Sequence, residues 1–185
     1  MKRFLPFAGR RREIDLLEEL LEGVLEYSGS TVFLRGGIGV GKTRLLDHFS
    51  HSVRDRGFHL LRGRSVEEPA RSYSSFSTMV EDFLCQGREL PQWMSRHVTP
   101  ETAVHFMSLM PSLSQLYPVE VRKSVHSDTA SIVLAFMEFF RRLSRSRPLL
   151  LVLDDIQWMS DDELDLLRRL ADRILDMPVL MLAGI

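Results

Sequence analysis

The stretch from Ser30 to Leu46, STVFLRGGIGVGKTRLL, constrains this chain more than any other. Thr31 to Arg35 opens it as a short apolar, β-branched run that predicts a strand. Gly36, Gly41, Lys42 and Thr43 then fit the pattern G-x-x-x-x-G-K-[ST], and Leu45, Leu46, Phe49 and Val53 follow on one face of a helical pattern. Strand, glycine-rich loop and helix in that order are the context a phosphate-binding loop requires; a bare glycine-rich turn would not need all three. Successive backbone N–H groups must converge on phosphate oxygens, and side chains resist the dihedrals this needs. The residues from Gly36 and Gly37 through Ile38, Gly39, Val40 and Gly41 to Lys42, Thr43 and Arg44 therefore form the candidate nucleotide cradle. The helix start near Lys42 turns unpaired N–H groups and a positive dipole end toward the anion. Lys42 would reach the β- and γ-phosphates as a point charge, and the Thr43 hydroxyl would ligate Mg²⁺.

A second stretch, LLLVLDDIQWMS from Leu149 to Ser160, supplies the other half of such a site. Leu149 to Leu153 is a continuous apolar run, which suits a strand buried on both faces of a parallel sheet. It ends in Asp154 and Asp155, and ligand chemistry in such sheets gathers at the carboxyl ends of strands. Asp154 is the candidate Mg²⁺ carboxylate, and Asp155 the candidate to orient an attacking water. Two adjacent carboxylates repel each other, so their place beside a buried strand argues for a task rather than a simple strand cap.

Elements alternate along the rest of the chain. Helical spacing covers Arg11 to Leu25, with Ile14, Leu17, Leu20, Leu21, Val24 and Leu25 apolar. The helix after the loop ends near Arg56, before Gly57. Phe58 to Arg62 reads as a second strand, and Gly63 to Ser75 as irregular. Phe76, Met79, Val80, Phe83 and Leu84 predict a helix; Thr99-Pro100 opens another that ends near Pro111. Residues 111–127 read as loop. Asp128 caps a helix through Leu143 with Ile132, Ala135, Phe136, Phe139 and Phe140 inward. Ser160-x-x-Glu163 is a capping box opening a helix with Leu164, Leu167, Leu170, Ala171 and Ile174 on one side. Pro178 to Ala183 is a last strand. The expectation is one α/β domain over 1–185, with residues 63–127 a helical and loop insertion between strands two and three.

Composition excludes several classes. A net charge of −1 gives no global argument for nucleic acid or an anionic membrane, and no apolar run reaches transmembrane length. The single cysteine, Cys85, cannot build an internal disulfide framework; it lies in an apolar helical pattern, which predicts a buried structural thiol in a cytoplasmic protein. The basic N-terminus MKRFLPFAGRRRE lacks the long apolar core of a secretory signal. His48 and His51 lack a third metal ligand nearby, Trp158 reads as a packing anchor, and Arg141, Arg142, Arg145 and Arg147 read as a solvated helix end beside acidic neighbours.

These residues resemble the AAA+-related P-loop ATPases of the STAND type, and in particular the nucleotide-binding module of large LuxR-type transcriptional activators. Phe7-x-Gly9-Arg10-x-x-Glu13 resembles the family's entry motif near the adenine, which makes Gly9 and Arg10 candidate nucleotide contacts. Gly36 to Leu46 resembles its phosphate loop, Gly63 with Tyr73-x-x-Phe76 its second-strand exit, and Pro148 to Trp158 its Mg²⁺ strand. Gly37 stands where an acidic residue is common, Arg11 replaces a frequent Glu, and Ser160 stands where Asp often follows the Trp. The resemblance implies a parallel sheet of order similar to 1-4-3-2, with a fifth strand and helical lid missing beyond the Leu182-Ala183-Gly184-Ile185 ending. Without the fifth strand, the strand carrying the phosphate loop becomes an edge, and edges pair with other chains.

The resemblance implies a regulatory module that binds Mg-ATP, hydrolyses it slowly through Lys42 and Asp155, and switches a multidomain signalling or transcription protein. Its partners would be nucleotide and other proteins or further copies, met through further domains, with no direct nucleic-acid contact from this segment and no membrane contact. Two other readings stand beside it: a DNA-linked AAA+ ATPase such as an origin-recognition-type initiator, and a nucleotide-binding interaction module without turnover. The guanine-reading pattern N/T-K-x-D is not found, which favours ATP over GTP.

Overall fold

The computed structural model describes residues 9–67, 72–85, 98–110 and 128–185. In chain order the elements are α1 (Arg11–Leu25), β1 (Ser30–Leu34), α2 (Lys42–Arg54), β2 (His59–Arg64), α3 (Ser74–Cys85), α4 (Pro100–Leu109), α5 (Thr129–Ser146), β3 (Leu149–Asp154), a 3₁₀ turn (Ile156–Trp158), α6 (Asp161–Ile174) and β4 (Val179–Gly184). The four strands form one sheet in the order β1-β4-β3-β2, every pairing parallel. This is the P-loop arrangement and sheet order expected from the sequence.

The central strands explain the sheet. Every residue of β3 and β4 is buried, so neither strand can alternate polar and apolar residues. Their alternate side chains feed two cores. Leu150, Val152, Leu180 and Leu182 pack with Leu17, Leu21, Leu45, Leu46, Phe49 and Val53 of α1 and α2. Leu149, Leu151, Leu153, Val179 and Met181 face the opposite layer, with α3, α4, α5 and α6. That layer holds an aromatic cluster in which Phe136 lies 5.0 Å from Phe106 and 6.3 Å from Phe140, ring centre to ring centre. Thr99 and Asp128 cap α4 and α5 through their side chains, and Ser160 with Glu163 forms the capping box of α6.

The edges differ from this centre. All five residues of β1 are at least partly exposed, and Phe33 is 52% exposed. Among the described residues β1 pairs only with β4. The Leu34 carbonyl accepts from the Ile185 N–H, so by alternation the backbone groups of Thr31 and Phe33 point outward.

Several expectations need correction. Gly63 lies within β2, which runs to Arg64 rather than stopping at Arg62. It fits because nothing larger would: a Cβ there would sit 2.7 Å from the Ser75 carbonyl at the start of α3. Cys85 ends α3 exposed, not buried, because it lies on the same outward face as Asp82 while its neighbour Leu84 faces the core. Trp158 is 42% exposed, so it is no packing anchor; Ile156 and Met159 fill that role. Leu25 and Leu164 are exposed, while Leu166 takes a core position in α6. The expected loop at 111–127 and the entry residue Phe7 lie outside the described residues.

Candidate functional site

The loop between β1 and α2 is built as the sequence requires. Gly39 and Gly41 have φ of 80° and 88°, a region that side chains rarely adopt. Gly41 is the N-cap of α2, and Lys42 its first residue. The Lys42 ammonium curls back over the loop and donates to the Gly36 carbonyl at 2.6 Å and the Gly37 carbonyl at 3.1 Å. The charge thus sits inside the loop curve, where phosphate oxygens would replace the carbonyls. Ile38, Val40, Thr43 and Arg44 are exposed around it. Gly9 and Arg10 both have positive φ and lead into α1; the Arg10 guanidinium donates to the Val40 carbonyl. That bond brings the entry segment against the phosphate loop, 30 residues away in sequence.

Across β4 from this loop, β3 ends in the two carboxylates. Asp154 is 2% exposed; its Oδ1 accepts from the Asp155 N–H at 3.1 Å, while its Oδ2 is buried and has no partner. A buried carboxylate oxygen without a donor is costly unless something else satisfies it. A hard cation answers that chemistry, so the Asp154 carboxylate fits an Mg²⁺ role. Asp155 follows in the left-handed region, φ 58°. Its Oδ2 accepts from Arg64 Nε at 3.0 Å and its Oδ1 from the Gln157 side-chain amide at 3.2 Å. Arg64 ends β2, directly opposite Asp154 in register.

Sequence reasoning missed the group that holds this corner. Glu163 is fully buried, and its carboxylate accepts from the backbone N–H and hydroxyl of Ser75 and of Ser160. The Ser75 N–H bond is 2.8 Å long and the Ser160 N–H bond 3.1 Å. One carboxylate thus joins the first turns of α3 and α6, both favourable for an anion. The capping box was legible; its bond to Ser75, 88 residues earlier, was not.

Elsewhere the described residues offer less. A groove of about 340 Å³ lies along the outer edge of β2, lined by Arg54, Phe58, His59, Arg62, Asp82 and Phe83 among others, away from the phosphate loop. Arg141 and Arg142 both pair with Glu138, as a helix end beside an acidic neighbour should. Burial disfavours the charged Glu138, but the hydrogen bonds and charges of these two arginines win and hold its carboxyl below the usual range. Among the described residues no group of three or more His, Cys, Asp and Glu gathers as a metal site, and no helix is long and apolar enough to cross a membrane.

A parallel sheet of order 1-4-3-2, a strand–loop–helix cradle closed by Lys42, and a carboxylate pair beyond the intervening β4 define a P-loop ATPase core of the AAA+ type. The model of the AAA ATPase domain family matches residues 6–182, and the chain belongs to that family. Membership implies nucleotide binding, typically with Mg²⁺. A crystal structure of a DNA replication initiation factor is similar at a TM-score of 0.43 and 18% identity, the match covering 99% of this chain and 40% of that one. This chain thus spans about two fifths of that protein's length. No curated protein matches the chain.

Proposed function

We propose that this chain is the ATP-binding core of a STAND-type regulatory protein, in which Mg-ATP binding and slow hydrolysis switch the arrangement of attached domains. The observation that carries the reading is the Lys42 ammonium held inside the Gly36–Gly41 curve, with the unsatisfied Asp154 oxygen at the end of β3, across the intervening β4. Lys42 and the loop N–H groups would hold the β- and γ-phosphates. Thr43 and Asp154 would hold Mg²⁺, which supplies charge neutralisation on the phosphates. Gly9 and Arg10 would close the base-side entry, a reading supported by the Arg10 bond to the Val40 carbonyl of the phosphate loop. Asp155 would orient the attacking water once released from Arg64, and Lys42 would stabilise charge on the transferring phosphoryl group. The same ion pair, unopened, is consistent with slow turnover.

A thermal melt tests the reading. Mg-ATP at 100 times its dissociation constant should stabilise the chain by about 2.7 kcal/mol, a shift of several degrees for a domain of this size. Lys42→Ala should abolish the shift, and Mg-GTP should give a smaller one. Absence of any nucleotide shift in the folded native chain would overturn the proposal.

A further inference from the structure

We propose that Gly184 is a positioning residue for the metal-binding carboxylate: the space its missing side chain leaves is the space Asp154 occupies. Gly184 ends β4, which lies between β1, where the phosphate loop departs, and β3, which Asp154 ends. A Cβ built on Gly184 would stand 2.8 Å from Asp154 Oδ1 and 3.4 Å from a methyl of Leu46. Real Cβ atoms essentially never approach an oxygen that closely, so one of the two groups would have to move. The carboxylate cannot give way cheaply. Its Oδ1 accepts from the Asp155 N–H, and the residue is only 2% exposed, which leaves the side chain little room to turn away.

Nothing in the backbone asks for glycine here. Gly184 does not have a positive φ, unlike Gly39 and Gly41, so an alanine would fit its dihedrals. Glycine also weakens a strand, and every other residue of β4 is apolar with a side chain. A glycine that a buried strand would otherwise avoid points to close approach by another group, and that group is the Asp154 carboxylate. The strand end therefore serves the site by vacancy rather than by contact.

The metal part of this inference rests on the proposed Mg-ATP site; the steric part does not, and the experiment separates them. Melts without nucleotide would compare the native chain, Gly184→Ala, Asp154→Ala and the double variant. Gly184→Ala should lower Tm by about 5 °C in the native background and by far less in the Asp154→Ala background. If Gly184→Ala alone fails to fold, a folded double variant supports the inference, and an unfolded one overturns it. An equal loss in both backgrounds also overturns it, since the added methyl would then clash with something else.

The second arm measures binding of a fluorescent ATP analogue with Mg²⁺ and with EDTA. Gly184→Ala should lose about tenfold of the Mg²⁺-dependent gain in affinity while its EDTA affinity stays within about twofold of native. An undiminished Mg²⁺ gain in folded Gly184→Ala would overturn the positioning role. A native chain that binds the analogue no better with Mg²⁺ would sink the proposed function instead, and the melts would still decide the steric claim.

Discussion

Arg64 and Asp155 join the carboxyl ends of β2 and β3 by an ion pair 3.0 Å long, across 91 residues of sequence. The pair is partly exposed, at 69% of the Arg64 side chain and 24% of the Asp155 side chain. Exposed pairs contribute roughly 0.2–1 kcal/mol, which bounds what releasing Asp155 can achieve. Arg64→Ala should therefore raise ATP turnover by no more than about fivefold, with nucleotide affinity and Tm nearly unchanged. Steady-state phosphate release checks this. A fall in turnover would show that Arg64 assists the reaction instead of restraining Asp155.

Glu163 offers a larger effect at a distance from the nucleotide. Glu163→Ala would strand the buried N–H groups of Ser75 and Ser160 and leave a cavity at the joint of α3 and α6. A loss of roughly 2–4 kcal/mol is expected, read as a lower urea midpoint at unchanged m. A loss below about 0.5 kcal/mol would mean that water replaces the carboxylate without strain.

Asp128 gives a pH signature. Its carboxyl is held below the usual range by the backbone N–H of Ser131 and then by that residue's hydroxyl. The folded state thus favours the charged form. The resulting stability is complete above the ordinary carboxylate pKa near 4 and fades as pH falls through the lower folded value. The Tm gap between the native chain and Asp128→Ala should shrink as pH drops from about 6 toward 3. A gap constant over that range would contradict the assignment.

Amide exchange should divide the sheet. Leu150 to Leu153 and Leu180 to Leu182, buried on both faces, should exchange at the rate of global unfolding. Thr31 and Phe33, whose N–H groups face outward, should exchange faster by orders of magnitude in the nucleotide-free chain. Equal protection across the four strands would show that the outer edge of β1 is covered.

Local chemistry made much of this legible. The glycine spacing around Lys42, the apolar run into Asp154 and the caps at Thr99, Asp128 and Ser160 each act over a few residues, so sequence alone reveals them. What escaped depends on which elements meet. The length of β2 follows from its register with β3, not from its own residues. Arg64 looks like any surface arginine until β2 and β3 are neighbours, and Gly184 looks like a strand end until Asp154 fills its space. Cys85 and Trp158 failed for a related reason: apolar residues recur on a helical or turn period whether or not a core lies on that side.

The strand that delivers the phosphate loop is also the boundary of the sheet, with Phe33 half in solvent and Leu34 running straight toward Gly36. Ordering that strand from either side has one thermodynamic cost. A chain docking along β1 would find it already stiffened if nucleotide filled the loop, and nucleotide would find it stiffened if a docked chain were present. By reciprocity the two affinities would then rise by the same factor, which would make the sheet margin and the phosphate cradle two ends of one ligand-operated coupling.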